Sequence, residues 1–252
     1  MFSMQTTQTT VPGITKRSVT RNIFIREGGF TVKNLTGDDE KTEAYRLRHK
    51  VFAEELRWVP QSRTMIERDD YDRNAVPIGV FDEQNTLVAY VRLTPPGACF
   101  MIEKEFSSLI GAWHRIRKHN DTAEVSRLCV LPKARNVSVR GNFGIHHVSM
   151  FLYKGVYQWC ARNNVRYIYV VVENKIHRMF MAKGFPCRPA GEPLTMPDGC
   201  VAVAAMIDFE ELVAVNTLKR PEFIKWFTQN RSGRFGAPLQ QPAFYSQPGA
   251  SA

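Results

Sequence analysis

The sequence predicts an α/β fold in which a mixed, mostly antiparallel central sheet carries helices on both faces, giving a three-layer α/β/α sandwich. Three observations point there. Residues 38–57 repeat apolar side chains at helical spacing, residues 77–82 and 87–94 are strand-like runs joined by a tight turn, and Tyr-Ile-Tyr-Val-Val-Val-Glu at 167–173 reads as a buried strand after a long amphipathic helix.

In chain order, the first strand falls near Phe30–Asn34. The helix that follows lies between Asp38 and Arg57, where Ala44, Tyr45, Leu47, Val51, Phe52 and Leu56 recur every three or four residues and so bury one face. Strands at Pro77–Asp82 and Leu87–Thr94 pair through the turn Asp82-Glu-Gln-Asn85, whose acidic and amide side chains suit a tight reversal. An irregular stretch with short helices spans residues 100–119, and a strand covers Thr122–Leu131. A long helix from about Phe143 to Asn163 presents Ile145, Val148, Met150, Phe151, Leu152, Val156 and Trp159 on its apolar side. After the valine-rich strand, a helix at Lys175–Lys183 stops at Gly184, and Cys200–Phe209 forms the last strand.

With 252 residues and 44% apolar content, the chain can bury one full core. Residues 1–27 are polar and Thr-rich, and residues 231–252 are rich in Gly, Pro, Gln and Ser. Both read as flexible extensions of a domain at 28–230. No apolar run has membrane-spanning length, and the first residues lack the apolar centre of a secretory signal. Five cysteines without paired metal spacing fit structural roles in a reducing cytoplasm. The net charge of +10 favours an acidic partner. A basic nucleic-acid-binding module is therefore the non-enzyme reading, although no zinc finger, aromatic RNA-binding signature or clear helix-turn-helix accompanies the charge. The basic clusters, among them Lys175, Arg178 and Lys183, read as solvated faces and are also compatible with docking an acidic protein.

Two constellations stand out against this background. Arg48 lies three residues after Tyr45 and four before Phe52, so a charge shares the apolar face of the first helix. Alone, it reads as a snorkelling arginine at the edge of the core. Downstream, however, come Trp58 and the acidic run Glu67, Asp69, Asp70 and Asp72, which offers partners. The second constellation is Glu124-Val-Ser126-Arg127 inside a strand. Strand alternation puts Glu124 and Ser126 on one face and Arg127 on the other. Either Arg127 pairs across the sheet, or a bulge turns it toward Glu124 and frees backbone N–H groups that suit an oxyanion. Arg92, on the face of Val88 and Tyr90, is a third buried arginine.

Taken together, Arg48, Phe52, Trp58, Asp69, Asp72, the Arg92-Leu93 pair, Glu124 and Arg127 resemble the charged and aromatic signature of the LuxI-type acyl-homoserine-lactone synthases. Every position of that signature is filled, in one order. The resemblance runs from about Phe30 to Phe209 and is looser over residues 132–200; the two terminal extensions depart from the family.

The resemblance implies a GNAT-like fold and an acyltransferase of quorum-sensing signal synthesis. An acyl chain passes from an acyl carrier protein thioester, or acyl-CoA, to the amine of S-adenosylmethionine, which lactonises and releases methylthioadenosine. S-adenosylmethionine is here a substrate, and neither cofactor nor metal is expected. Arg48, Arg92 and Arg127 would bind the substrate carboxylate and hold the acids in place. Asp69 and Asp72 would meet its ammonium or ribose, and Phe52 and Trp58 its sulfonium or adenine. Glu124 is the candidate general base, with backbone N–H groups at Ser126–Leu128 as the oxyanion site. The acyl chain would run between the strands at 122–131 and 166–173, near Met150 and Tyr169. Lys175, Arg178 and Lys183 are the expected carrier-docking surface. An N-acyl amino acid synthase and a CoA-dependent GNAT acetyltransferase are the enzyme alternatives. The glycines of Arg140-Gly-Asn-Phe-Gly144 lack the usual spacing of the latter's pyrophosphate loop.

Overall fold

The computed structural model describes residues 21–141 and 144–229. It contains β1 (Phe24–Glu27), β2 (Phe30–Asn34), α1 (Asp38–Arg48), β3 (Val76–Phe81), β4 (Leu87–Thr94), β5 (Thr122–Val130), β6 (Ser138–Gly141), β7 (Gly144–His147) and α2 (Val148–Arg162). Then come β8 (Tyr167–Glu173), α3 (Asn174–Ala182), β9 (Cys187–Pro189), β10 (Leu194–Thr195), β11 (Val201–Asp208), α4 (Phe209–Lys219) and α5 (Pro221–Thr228). A π-helical stretch, His49–Glu55, continues α1, and short 3-10 turns occupy 70–74, 101–103 and 107–109.

The large sheet runs β1-β2-β3-β4-β5-β8-β11-β10, with β9 also on β11. Its pairings are antiparallel except β5 with β8. β4 lies in the middle of this order and is buried at all of its positions, as a continuous apolar run broken only by Tyr90, Arg92 and Thr94 should be. Helices α2 to α5 contribute to one large apolar core against one sheet face. α2 presses close because Gly155 has no side chain: a Cβ there would stand 2.8 Å from Val32 Cγ1.

The opposite face carries two smaller cores. One, under α1, joins Leu47, Val51 and Phe52 to Phe81, Leu87 and Tyr90. The other, under the irregular stretch, joins Phe100, Ile102 and Leu109 to Tyr169, Ala202 and Ala204. The three-layer expectation therefore holds, with α1 and the 100–119 segment sharing the second outer layer. The parallel register of β5 and β8 ends at Val125 and Val170. Beyond it β5 continues against β4 alone and β8 against β11, so the two strands part.

Several expectations are corrected. The domain begins before residue 28: Ile23 and Ile25 are buried, and β1 pairs with β2 through a turn at Gly28 and Gly29, both with positive φ. A strand of four residues is too short to show periodicity, though a Gly-Gly pair is itself a hairpin signal. The long helix begins at Val148, not near Phe143, because Gly144–His147 pairs with Ser138–Gly141 as a hairpin. Phe143 itself, residues 1–20 and residues 231–252 lie outside the described residues. The helices α4 and α5 were not foreseen. They follow β11 directly, with Asp208 accepting from Glu210 and Glu211 N–H groups as the cap of α4 and Pro221 opening α5.

Candidate active site

The site occupies the seam between the two small cores. α1 delivers Arg48 at its last α-helical turn, after which the backbone loosens to i→i+5 bonding, with Leu56 N–H donating to Val51 O at 2.9 Å. A π-helical stretch costs bonding geometry and occurs mostly at functional positions. Here it keeps Arg48, His49, Val51, Phe52 and Ala53 all buried on one broadened face. The chain then loops back, Trp58 N–H donating to Phe52 O at 2.8 Å, and returns at Glu67, whose N–H donates to Tyr45 O at 3.2 Å.

β5 resolves the alternatives left open by its sequence. Ser126 pairs with Arg92 and Cys129 with Tyr90, so three steps on β5 face two on β4. This is a bulge, and Arg127 takes φ +52 within it. The side chain thereby reaches the acidic run instead of the opposite face.

Three arginines and three carboxylates close one network. Arg48 binds Glu67 through Nε and Asp72 through Nη1, the latter at 2.6 Å. Arg92 binds Asp69, and Asp72 at 3.0 Å, and donates from Nε to Ser126 Oγ at 3.0 Å. Arg127 binds Glu67 at 3.1 Å and Asp69 at 2.9 Å. Aromatic faces complete the enclosure. Arg48 lies over Tyr45 and Tyr90, Arg92 over Tyr71, and Arg127 over Phe52. Asp69 and Asp72 also cap the 3-10 turn at 70–74, by bonds of 3.0 Å from Tyr71 N–H and 2.8 Å from Asp69 N–H. Burial alone would raise the Asp72 pKa, but the charges of Arg48 and Arg92 and the bonds from Arg48 and the Asp69 backbone hold it below the ordinary value.

This geometry encloses the expected site residues to different degrees. The Arg48 and Arg92 side chains are 0% exposed and hold the acids: Arg48 pairs with Glu67 and Asp72, and Arg92 with Asp69 and Asp72. The same enclosure removes the surface that a nucleic-acid reading of these arginines requires. Asp72, 9% exposed, is bound to Arg48 and Arg92, and Asp69, bound to Arg92 and Arg127, keeps 24% of its side chain exposed. Arg127, with 16% of its side chain exposed, is the arginine left at the surface of the network. Beside it, Phe52 and Trp58 stack at 6.1 Å and 27°, with Trp58 43% exposed.

Glu124 sits at the other end of the seam, 2% exposed. Its two oxygens accept from Met101 N–H at 2.7 Å and Ile102 N–H at 2.8 Å. Burial pushes its pKa up, against the lowering effect of those two bonds and of Arg92. Met101 links the halves, since its Sδ receives Arg92 Nη2 at 2.8 Å and Arg127 Nη1 at 3.7 Å. Met150 and Tyr169 are not brought together. Met150 belongs to the large core and Tyr169 to the small one on the other sheet face, where its hydroxyl is held by His114 at 2.9 Å and Arg117 N–H at 3.0 Å. Lys175, Arg178 and Lys183 lie on and just after α3, away from the network. Lys175 and Arg178 are exposed, Lys183 is half-buried, and Lys175 pairs with Glu173 at 2.5 Å.

Glu67 is the functional residue that sequence reasoning passed over as a member of an acidic run. It is 8% exposed and joins Arg48 of α1 to Arg127 of β5. Its spacing of two from Asp69 was the available signal, because in extended chain alternate residues share a face.

The autoinducer synthase family model matches residues 33–214. A probable acyl-homoserine-lactone synthase of Sinorhizobium fredii is 28% identical over 165 residues, covering 65% of this chain and 77% of that protein. Among solved structures, TofI in a ternary complex with an inhibitor and MTA is 22% identical with a TM-score of 0.61, over 77% of this chain and 98% of TofI. The CoA-dependent acyl-homoserine lactone synthase BjaI, with SAM and isopentyl-CoA, is 22% identical with a TM-score of 0.60, over 71% of this chain and 82% of BjaI. The match spans β2 to α4 and contains every residue of the arginine–carboxylate network, and the chain therefore belongs to the autoinducer synthase family, as an acyltransferase of the acyl-homoserine-lactone synthase type.

Proposed function

We propose that this chain joins an acyl group from a carrier thioester to the amine of S-adenosylmethionine, and that the network just described shapes the S-adenosylmethionine pocket. The observation that carries this reading is the charge balance of the network. Three arginines balance Glu67, Asp69 and Asp72, and Arg127, held by Glu67 and Asp69 but with 16% of its side chain exposed, can still meet a substrate carboxylate next to the Phe52–Trp58 face. A zwitterionic sulfonium with an adenine asks for that combination of cation, aromatic surface and nearby base.

In the first step the amine nitrogen attacks the thioester carbonyl, a C–N bond forms and the C–S bond breaks, and the carrier leaves as its thiol. Glu124 takes the amine proton through a water, its raised pKa making it a stronger base than an ordinary carboxylate. N–H groups in the bulge at 126–128 stabilise the oxyanion. In the second step the substrate carboxylate attacks its own γ-carbon, closing the lactone and expelling methylthioadenosine. A folded substrate held by Arg127 supplies that step by proximity. The acyl chain enters where β5 and β8 part, beyond Val125 and Val170.

The donor is proposed to be an acyl carrier protein, which is acidic and matches the exposed cations of α3. Reversing Lys175, Arg178 and Lys183 to glutamate should raise KM for acyl carrier protein about tenfold or more at low salt and leave KM for acyl-CoA unchanged. An unchanged carrier KM moves docking elsewhere. Both substrates are cytoplasmic metabolites, so the proposed place of action is the cytoplasm. Among the described residues no helix is long and apolar enough to cross a membrane.

The decisive test is incubation with S-adenosylmethionine and a panel of acyl carrier proteins and acyl-CoAs, read by mass spectrometry. Acyl-homoserine lactone with equimolar methylthioadenosine is the expected result. Acylated free amino acid without methylthioadenosine would replace it with an N-acyl amino acid synthase.

A further inference from the structure

The loop from Leu56 to Glu67 carries Trp58 at one end and the network's Glu67 at the other, and it is long and exposed between them. Gln61, Arg63, Thr64 and Met65 all face solvent, and Arg57 and Met65 hold positive φ of 58° and 55°. Its ends are tied to the helix by backbone bonds, from Trp58 and Val59 N–H groups to Phe52 O and from Glu67 N–H to Tyr45 O. Between those ends, the tie from loop to helix among the described residues is a side chain. His49 Nε2 accepts the Ser62 N–H at 3.0 Å.

His49 is buried, and its ring is fixed from the other side. Nδ1 lies 3.1 Å from Glu54 Oε1. Because Nε2 accepts, the ring proton belongs on Nδ1, where it donates to the Glu54 carboxylate. The π-helical stretch makes this pair possible. Residues five apart stand about 140° from each other around an α-helix, whereas i→i+5 bonding brings them onto one face. The local departure from α-helix thus orients one imidazole whose free nitrogen holds the middle of the loop.

We propose that His49 is a positioning residue for S-adenosylmethionine binding, acting through the Ser62 backbone to hold the loop so that Trp58 stays stacked on Phe52. This rests on the reading that the Phe52–Trp58 face meets that substrate. His49 touches neither substrate nor reacting atoms, so its loss acts on binding and not on chemistry.

The test compares wild type, His49→Leu, His49→Gln and Trp58→Phe in S-adenosylmethionine kinetics and in fluorescence quenching by S-adenosylmethionine, with Trp58→Phe defining the Trp58 signal. His49→Leu should raise KM for S-adenosylmethionine about threefold to tenfold, the range of one lost hydrogen bond, with kcat within about twofold and the Trp58 quenching lost. His49→Gln, whose amide oxygen can accept the same N–H, should recover most of both. An unchanged KM in His49→Leu alongside a raised KM in Trp58→Phe overturns the positioning role. A lowered kcat at unchanged KM, equal in the leucine and glutamine variants, also overturns it, as a plain folding effect. An unchanged KM in Trp58→Phe instead overturns the pocket reading beneath it. Should His49→Leu not fold, amide exchange in the wild-type protein decides. Ser62 N–H should exchange at least about tenfold more slowly than those of Gln61 and Arg63, and equal rates overturn the tie.

Discussion

Glu124→Gln is expected to lower kcat by about 10²–10⁴-fold, the span of a positioned general base. In the wild type the carboxylate must be ionised to accept the amine proton. Its pKa lies above the ordinary 4.5 because burial outweighs the Met101 and Ile102 bonds and the Arg92 charge. The acidic limb of the kcat profile should therefore fall through that raised value, activity being lost as pH drops, and the limb should vanish in the residual activity of the glutamine variant. The substitution also turns one acceptor into an NH2 group facing a backbone N–H, which costs about 1–3 kcal/mol of stability. Thermal melts taken with the kinetics separate the two effects. A folded variant that retains more than about a tenth of wild-type kcat removes Glu124 as the base.

Glu67→Ala should be the most destabilising single change in the network. Glu67 receives Nε of both Arg48 and Arg127, and Arg48 is wholly enclosed. Deleting Glu67 leaves the enclosed Arg48 Nε without its acceptor and sets two carboxylates against three arginines, at a cost of about 3–5 kcal/mol. For a domain of this size, that lowers Tm by about 6–20 °C. Arg127→Ala should cost less, since its side chain is partly open to water and water can replace it at Glu67 and Asp69. The ordering of the two melts is the check, and an Arg127 variant as unstable as the Glu67 variant would mean that the network is not organised around Arg48. Loss of S-adenosylmethionine binding in Glu67→Ala at a temperature where the fold persists would further tie the pocket to Arg127 orientation.

The strands β2 and β4 were legible to the residue, and β3, β5, β8, α3 and β11 to within one at each end, because each is long enough for its apolar period to show. β1, β9 and β10 are two to four residues long, and such pieces depend on a neighbouring strand for their existence. The first helix was expected between Asp38 and Arg57, and it is α-helical only to Arg48 before the π-helical stretch His49–Glu55. Side-chain periods of three and four cannot reveal a switch to i→i+5 bonding, and with it the pairing of His49 to Glu54 was invisible.

For the site, the chain by itself determined the chemical inventory: three arginines on apolar faces, an acidic run to neutralise them, an aromatic pair, and one carboxylate in a central strand. That much follows because unpaired charge is too costly to bury, so each apolar-face arginine announces a partner. Which partner, and which residue stays open, only the tertiary structure decided. Arg127 faces the acids because one extra residue on β5 turned it there, and Glu67 ranks with the aspartates because its loop returns between α1 and β5. Arg48 and Arg92 are wholly enclosed, each held by its acids, because the packing of two small cores closed over them. Register, bulges and enclosure are properties of neighbouring segments in space, and a single strand or helix read alone carries no record of them.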